Sequence, residues 1–202
     1  HHGARGYCST VCCTYAIKQA MIAKDHSKGP LDTAIFYIDI RTQWKDFEKY
    51  YLRARDDKGV RFIKSKIVGV TPVADTEDLV IRYTDKTGKR VEEKFDMVVL
   101  SVGLGPGPQT VALAERLGIE LDKYGFATTS TFEPVRSSRP GIYVCGAFQG
   151  PKDIPFSVMQ ASAAACAAGR RLAGARGTLL REEKKVGERV VAGEPPRVGV
   201  FV

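Results

Sequence analysis

The 202-residue chain contains no Gly-x-Gly-x-x-Gly run, the turn whose backbone N–H groups cradle a dinucleotide pyrophosphate. Gly103-Leu104-Gly105-Pro106-Gly107 does not replace it, because its prolines are expected to block a following helix turn. No apolar run approaches the roughly 18 residues that a membrane helix needs, and no signal-peptide pattern opens the chain. Of three histidines, His1 and His2 read equally as native residues or as a tag remnant and are set aside, which leaves only His26. That excludes a Ser/His/Asp or Cys/His nucleophile system, and the carboxylates are scattered without a pairing pattern. Five cysteines, an odd number without a disulfide framework, favour a reducing, cytoplasmic setting over secretion.

What is present is ordinary for a soluble α/β protein: 44% hydrophobic and 27% charged residues, enough to bury one good core or a domain with an appendage. The net charge of +8 is spread out. Basic residues alternate with acidic ones in Arg53 to Lys58, Lys86 to Lys94 and Arg181 to Arg189, as on solvated faces and hairpin turns. With no aromatic-plus-basic motif, no nucleic-acid partner is expected; an acidic protein partner or an anionic cofactor suits the excess better.

The cysteines are clustered. Cys8, Cys12 and Cys13 form a C-x3-C-C run leading into a helix predicted over Thr14 to His26, while Cys145 and Cys166 lie far away. Several sulfurs offered from one turn of backbone suit a soft metal or an iron–sulfur cluster. The same spacing also fits redox thiols, structural zinc, or cysteines that merely pack. Cys12 and Cys13 are poor partners for one disulfide, since the linking peptide would be strained.

Along the chain, Ala34 to Ile40 reads as a parallel-type strand, Trp44 to Ala54 as an amphipathic helix and Val60 to Ile63 as a second strand, a βαβ-type unit. Ile67 to Val73, Leu79 to Thr84 and Arg90 to Phe95 read as an antiparallel meander, the last two joined by a turn at Asp85 to Gly88. Asp96 to Val102 and Gly141 to Cys145 are predicted as buried strands, and Thr110 to Leu117 as a helix. Asp153 is the expected N-cap of an alanine-rich helix over Phe156 to Ala173, with Pro155 tolerated in its first turn. Arg197 to Val202 reads as the opening of a further strand, so the chain is expected to be an internal piece of a longer protein.

This order resembles part of the two-dinucleotide-binding-domain flavoproteins of the thioredoxin reductase type. Tyr7-Cys8-Ser9-Thr10-Val11-Cys12-Cys13-Thr14-Tyr15-Ala16-Ile17-Lys18-Gln19-Ala20 and the stretch from Gly141 through Cys145-Gly146-Ala147-Phe148-Gln149-Gly150-Pro151-Lys152-Asp153-Ile154-Pro155 are similar to the A-type subunits of heterodisulfide reductase and to quinone-interacting oxidoreductase subunits. The resemblance runs from about Tyr7 to Arg171. It implies that Cys8, Cys12 and Cys13 supply three ligands of a [4Fe–4S] cluster, the fourth family cysteine lying upstream. It implies that Lys18, by residue type a solvated helix lysine, sits near the reactive edge of the flavin. Ser101, Val102 and Gly103 would close over FAD, Gly146 and Ala147 would reach its ribityl chain, and the helix start at Asp153, Ile154, Pro155 and Ser157 would face its pyrimidine edge. Ala147 stands where the family carries aspartate, so the ribityl grip must differ.

The reading is an α/β, thioredoxin-reductase-like partial fold with a small antiparallel meander. Residues 1–95 form an NAD(P)-domain-like region with the cysteine motif, 96–175 the C-terminal part of an FAD domain, and 176–202 a linker and strand start. The function implied is electron transfer between FAD, a [4Fe–4S] cluster and other subunits of a heterodisulfide-reductase-type complex, including iron–sulfur and hydrogenase- or dehydrogenase-type partners. The alternatives are an NAD(P)H-dependent reductase piece, a zinc-stabilised module or a thiol oxidoreductase. Direct membrane insertion is not expected, the oligomeric state is left open because an exposed domain face can pair two copies into a homodimer artificially, and the chain alone is expected to bind FAD poorly and show little activity.

Overall fold

Ile17 and Met21, one helical turn apart, give the first helix an inward stripe, and the chain folds onto it. The computed structural model describes residues 5–181, 187–188 and 190–199. Helix α1 (Cys12–His26) is followed by β1 (Ala34–Tyr37), α2 (Phe47–Asp56) and β2 (Arg61–Lys64). The two strands are parallel, with Ala34 opposite Arg61 and Tyr37 opposite Lys64, so the βαβ unit forms as expected. Its core is Ile17, Met21, Ala54 and Val60, with Ile35, Tyr51 and Phe62 packed against them.

Strands β3 (Ile67–Pro72), β4 (Leu79–Thr84) and β5 (Arg90–Phe95) make the antiparallel meander. The β4–β5 turn closes through Gly88 N–H to Asp85 O (3.1 Å), with Gly88 at φ +85°, a conformation that favours glycine. The Asp85 carboxylate accepts from the Thr87 and Lys89 amides at 2.8 and 3.0 Å, which fixes the register. Phe36 of β1 meets Tyr83 and Phe95 edge-on at 5.0 and 5.9 Å, joining the meander to the βαβ unit.

Helix α3 (Pro108–Leu117) starts directly after the glycine–proline run, with Pro108 in its first turn. The prolines therefore do not block a helix there, because a first-turn N–H has no intrahelical acceptor to lose. Helix α4 (Ile154–Arg171) begins as expected: the Asp153 carboxylate accepts from Phe156 N–H at 2.9 Å. A second small core gathers Ala114, Ile119, Ala127 and Val144.

Two expected strands are not formed. Residues 96–102 pair with no strand among those described, and Met97, Val99, Leu100 and Val102 are 69–76% exposed. An apolar run becomes a strand only where a neighbour supplies ladder partners, and the β1–β2 sheet is not extended by this segment. The stretch 141–145 makes only an isolated bridge, Arg136 with Tyr143, although Val144 is buried. The helices start earlier (α1, α3, α4) or later (α2) than predicted. Of the strand expected at Arg197 to Val202, 197–199 have no regular structure and 200–202 lie outside the described residues.

Candidate functional site

Cys12 and Cys13 are the first two residues of α1, and Cys8 lies in the loop before it. Thr10, at φ +66°, turns that loop back so that its N–H reaches the Cys8 sulfur at 3.3 Å. All five cysteines are free. The Cys12 thiol hydrogen-bonds to Cys13, which lowers Cys13 to about 6 and holds Cys12 well above the usual thiol range. The Arg41 guanidinium binds Asp39 at 2.8 Å and also reaches Cys8, placing a cation against the sulfurs. A helix N-terminus and a neighbouring guanidinium both favour thiolate, the form that binds metal.

This loop is stitched to the 101–104 segment. Tyr7 O–H donates to Leu104 O (2.7 Å), Leu104 N–H to Ser9 Oγ (2.9 Å) and Ser101 O–H to Cys12 O (3.2 Å). Ser9 is 5% exposed. Gly103, at φ +80°, lies so close that a Cβ there would collide with the Ser9 hydroxyl. The result is a groove of about 810 Å³ walled by Cys12, Cys13, Asp39, Ser101, Val102 and Gly103, among others. The cysteine motif and the first predicted flavin segment thus share one wall, a juxtaposition that about 90 residues of intervening chain conceal.

The second predicted segment is tied in by Thr10 O–H to Pro151 O at 3.4 Å. Gly146 opens a turn of 3-10 helix at φ +62°, and its N–H donates to Gln160 Oε1 at 2.9 Å. Ala147, Ile154 and Pro155 are exposed, while Asp153 and Ser157 are partly covered, with Ser157 O–H donating to Asp153 O (2.7 Å). Lys18 is exposed on α1 and does not line the groove.

Sequence reasoning passed over Ser9, Arg41, Lys152 and Gln160. Gln160 was findable, as a long amide inside an alanine run; Arg41 was not, since nothing in the sequence brings it to Cys8.

Both groups the sequence implies can be tested against these residues. Among the described residues no three His, Cys, Asp or Glu side chains close on one point as around a single metal ion. Three soft sulfurs spread over one loop and one helix turn instead suit the separate corners of an iron–sulfur cluster, so the donor chemistry fits. For a flavin, Gly103 and Gly146, both at positive φ, provide backbone without side-chain bulk beside the groove and the α4 start. That also fits.

Comparison with known proteins gives the same direction. The chain is 46% identical over 165 residues to an archaeal protein of Archaeoglobus profundus named as like the A-type component of heterodisulfide reductase, covering 80% of this chain and 23% of that one. It is 41% identical over 164 residues to the A-type iron-sulfur component of the CoB–CoM heterodisulfide reductase of Methanocaldococcus jannaschii, covering 80% and 25%. The chain therefore spans about a quarter of the length of these relatives. In fold it is similar to LpdA of Mycobacterium tuberculosis, at a TM-score of 0.52 and 18% identity, over 78% of this chain and 33% of that one. The pyridine nucleotide-disulphide oxidoreductase family matches residues 6–168, and the chain belongs to that family.

Proposed function

We propose that this chain is the flavin and iron–sulfur electron-transfer part of an oxidoreductase of the heterodisulfide reductase A type. The observation that carries the reading is the common wall: Cys12, Cys13 and Ser101 to Gly103 line one groove, joined by Ser9. Bound there, a flavin would exchange electron pairs and a thiolate-held cluster single electrons.

The chain's own residues then have distinct tasks. Cys8, Cys12 and Cys13 supply sulfur donors, and Arg41 offsets their charge. Ser101, Val102 and Gly103 cover one side of the flavin, and Gly146 and Ala147 offer bare backbone to its chain. Asp153 shapes the start of α4 by taking the Phe156 N–H, and Ile154, Pro155 and Ser157 face the ring system, where the positive end of the helix dipole favours an electron-rich edge. Lys18, exposed on α1 outside the groove wall, would bring its cation to the flavin from beyond that wall and favour a reduced, anionic form. Other subunits of a heterodisulfide-reductase-type complex, in the cytoplasm, would take up the electrons. Among the described residues no helix is long and apolar enough to cross a membrane. The division into 1–95, 96–175 and 176–202 belongs to the same reading.

The test is iron, sulfide, zinc and flavin analysis of protein reconstituted without oxygen, with a small added thiol to fill the fourth corner. Iron and sulfide in equal amounts with a broad band near about 400 nm would support the cluster. Zinc in their place, or no metal with a reversible Cys8–Cys12 disulfide, would overturn it.

A further inference from the structure

Lys152 is the one charged side chain in the buried set among the described residues, at 8% exposure. Its ammonium donates to Gly146 O (3.0 Å), Gln149 Oε1 (2.8 Å) and Gly150 O (2.9 Å), so its three N–H groups meet three neutral acceptors. It forms no ion pair among the described residues. The face of the Phe156 ring, 5.8 Å away, and the nearby Cys145 thiol ease the cost of this buried ammonium in part, but no carboxylate pairs with it among the described residues, an expensive arrangement unless an anion completes the site. Burial pushes the Lys152 ammonium down from its ordinary value accordingly.

The same acceptors are locked from the other side. Gln160, 5% exposed, donates to Gln149 Oε1 (3.2 Å) and accepts from Gly146 N–H (2.9 Å), and Gln149 Nε2 donates to Thr129 Oγ1 (3.1 Å). A closed network of this kind holds one backbone shape. It holds the Gly146–Gly150 turn, which precedes α4 and is linked through Pro151 to the cysteine loop.

We propose that Lys152 is a positioning residue of the flavin site: it fixes the Gly146–Gly150 backbone and sets a positive charge without a carboxylate partner beneath it that favours a reduced, anionic flavin. This rests on the flavin reading given above. No other described group supplies both the staple and the charge at that turn.

Two variants separate the roles. Lys152→Met removes both, whereas Gln149→Glu keeps an acceptor for Lys152 and Gln160 and neutralises the charge, with the Thr129 hydroxyl free to donate instead. Amide hydrogen exchange at Gly146 and Gln149 is read without flavin, and the midpoint potential of bound FAD by spectroelectrochemistry. In Lys152→Met, exchange is expected to be at least about tenfold faster. In both variants the reduced flavin is expected to bind about tenfold less tightly relative to the oxidised form, a fall of about 30 mV for a two-electron couple. In Gln149→Glu, exchange stays near the unsubstituted rate. Unchanged exchange in Lys152→Met overturns the staple. An unmoved potential in Gln149→Glu overturns the charge role and leaves a structural lysine. Failure of the unsubstituted protein to take up FAD even at saturating FAD, beyond the weak binding expected of the chain alone, overturns the flavin reading and the charge role with it, while exchange still decides the staple.

Discussion

From α1 to β5 the chain is held by ladders and a shared core: two parallel strands, a three-stranded meander, and Ile17 buried completely against Met21, Ala54 and Val60. From residue 96 to the end of α4 it has only the small Ala114–Val144 core and isolated bridges, and polar side chains supply much of the remaining support. Ser9, Tyr7, Ser101, Lys152 and Gln160 bond backbone atoms that no strand pairs, Gln149 bridges Lys152, Gln160 and Thr129, and the apolar run 97–102 stays exposed. Backbone polar groups must be satisfied somewhere. Where a sheet does it, specificity lies in the hydrophobic pattern. Where single hydroxyls and amides do it, specificity lies in a few polar residues, gathered around the groove and the turn before α4.

Substitutions that strike each kind of support should therefore act differently. The largest effect is expected for Ile17→Ala, which opens a cavity in the first core and should cost about 2–5 kcal/mol in urea unfolding. Gly103→Ala should cost about 1–3 kcal/mol, because alanine at φ +80° is strained and meets Ser9. Adding Ser9→Ala should recover part of that loss; a strictly additive double mutant would mean the two loops are not coupled. Asp153→Ala removes the α4 cap and should cost about 1 kcal/mol, seen as faster exchange in the first turn.

The smallest effect is expected for Arg61→Met. Its pairs with Asp32 (2.8 Å) and Glu93 (2.6 Å) are partly exposed, so less than about 1 kcal/mol should be lost, and less again at high salt. Arg61 holds the Asp32 carboxyl below the usual carboxylate range. A depressed folded pKa stabilises above the unfolded value, near about pH 4, and is lost as pH falls through the folded one. The unsubstituted protein should thus lose slightly more stability than Arg61→Met on acidification below about pH 4.

The ladder-held region was largely legible. Ala34 to Ile40, Val60 to Ile63 and the meander announced themselves through apolar runs and the Asp85–Gly88 turn, because the information needed is local. The Asp153 cap was legible for the same reason. Asp96 to Val102 misled, since an apolar composition states what a strand requires and not whether a partner lies beside it. The cysteine motif was plain, but its meeting with Ser101 to Gly103 depends on Ser9 reaching across 95 positions to the Leu104 amide. Lys152 was hidden for a different reason: lysine is seldom buried, and nothing local marks this one.

Whether the three clustered cysteines bind a cluster decides most directly between electron transfer and the thiol or zinc alternatives. The measurement is electron paramagnetic resonance of the dithionite-reduced, anaerobically reconstituted protein, compared with Cys12→Ala and with the distant Cys166→Ala. A reduced-cluster signal that is lost in Cys12→Ala and kept in Cys166→Ala is the predicted result. A signal that survives Cys12→Ala, or one absent from the unsubstituted protein, would contradict it.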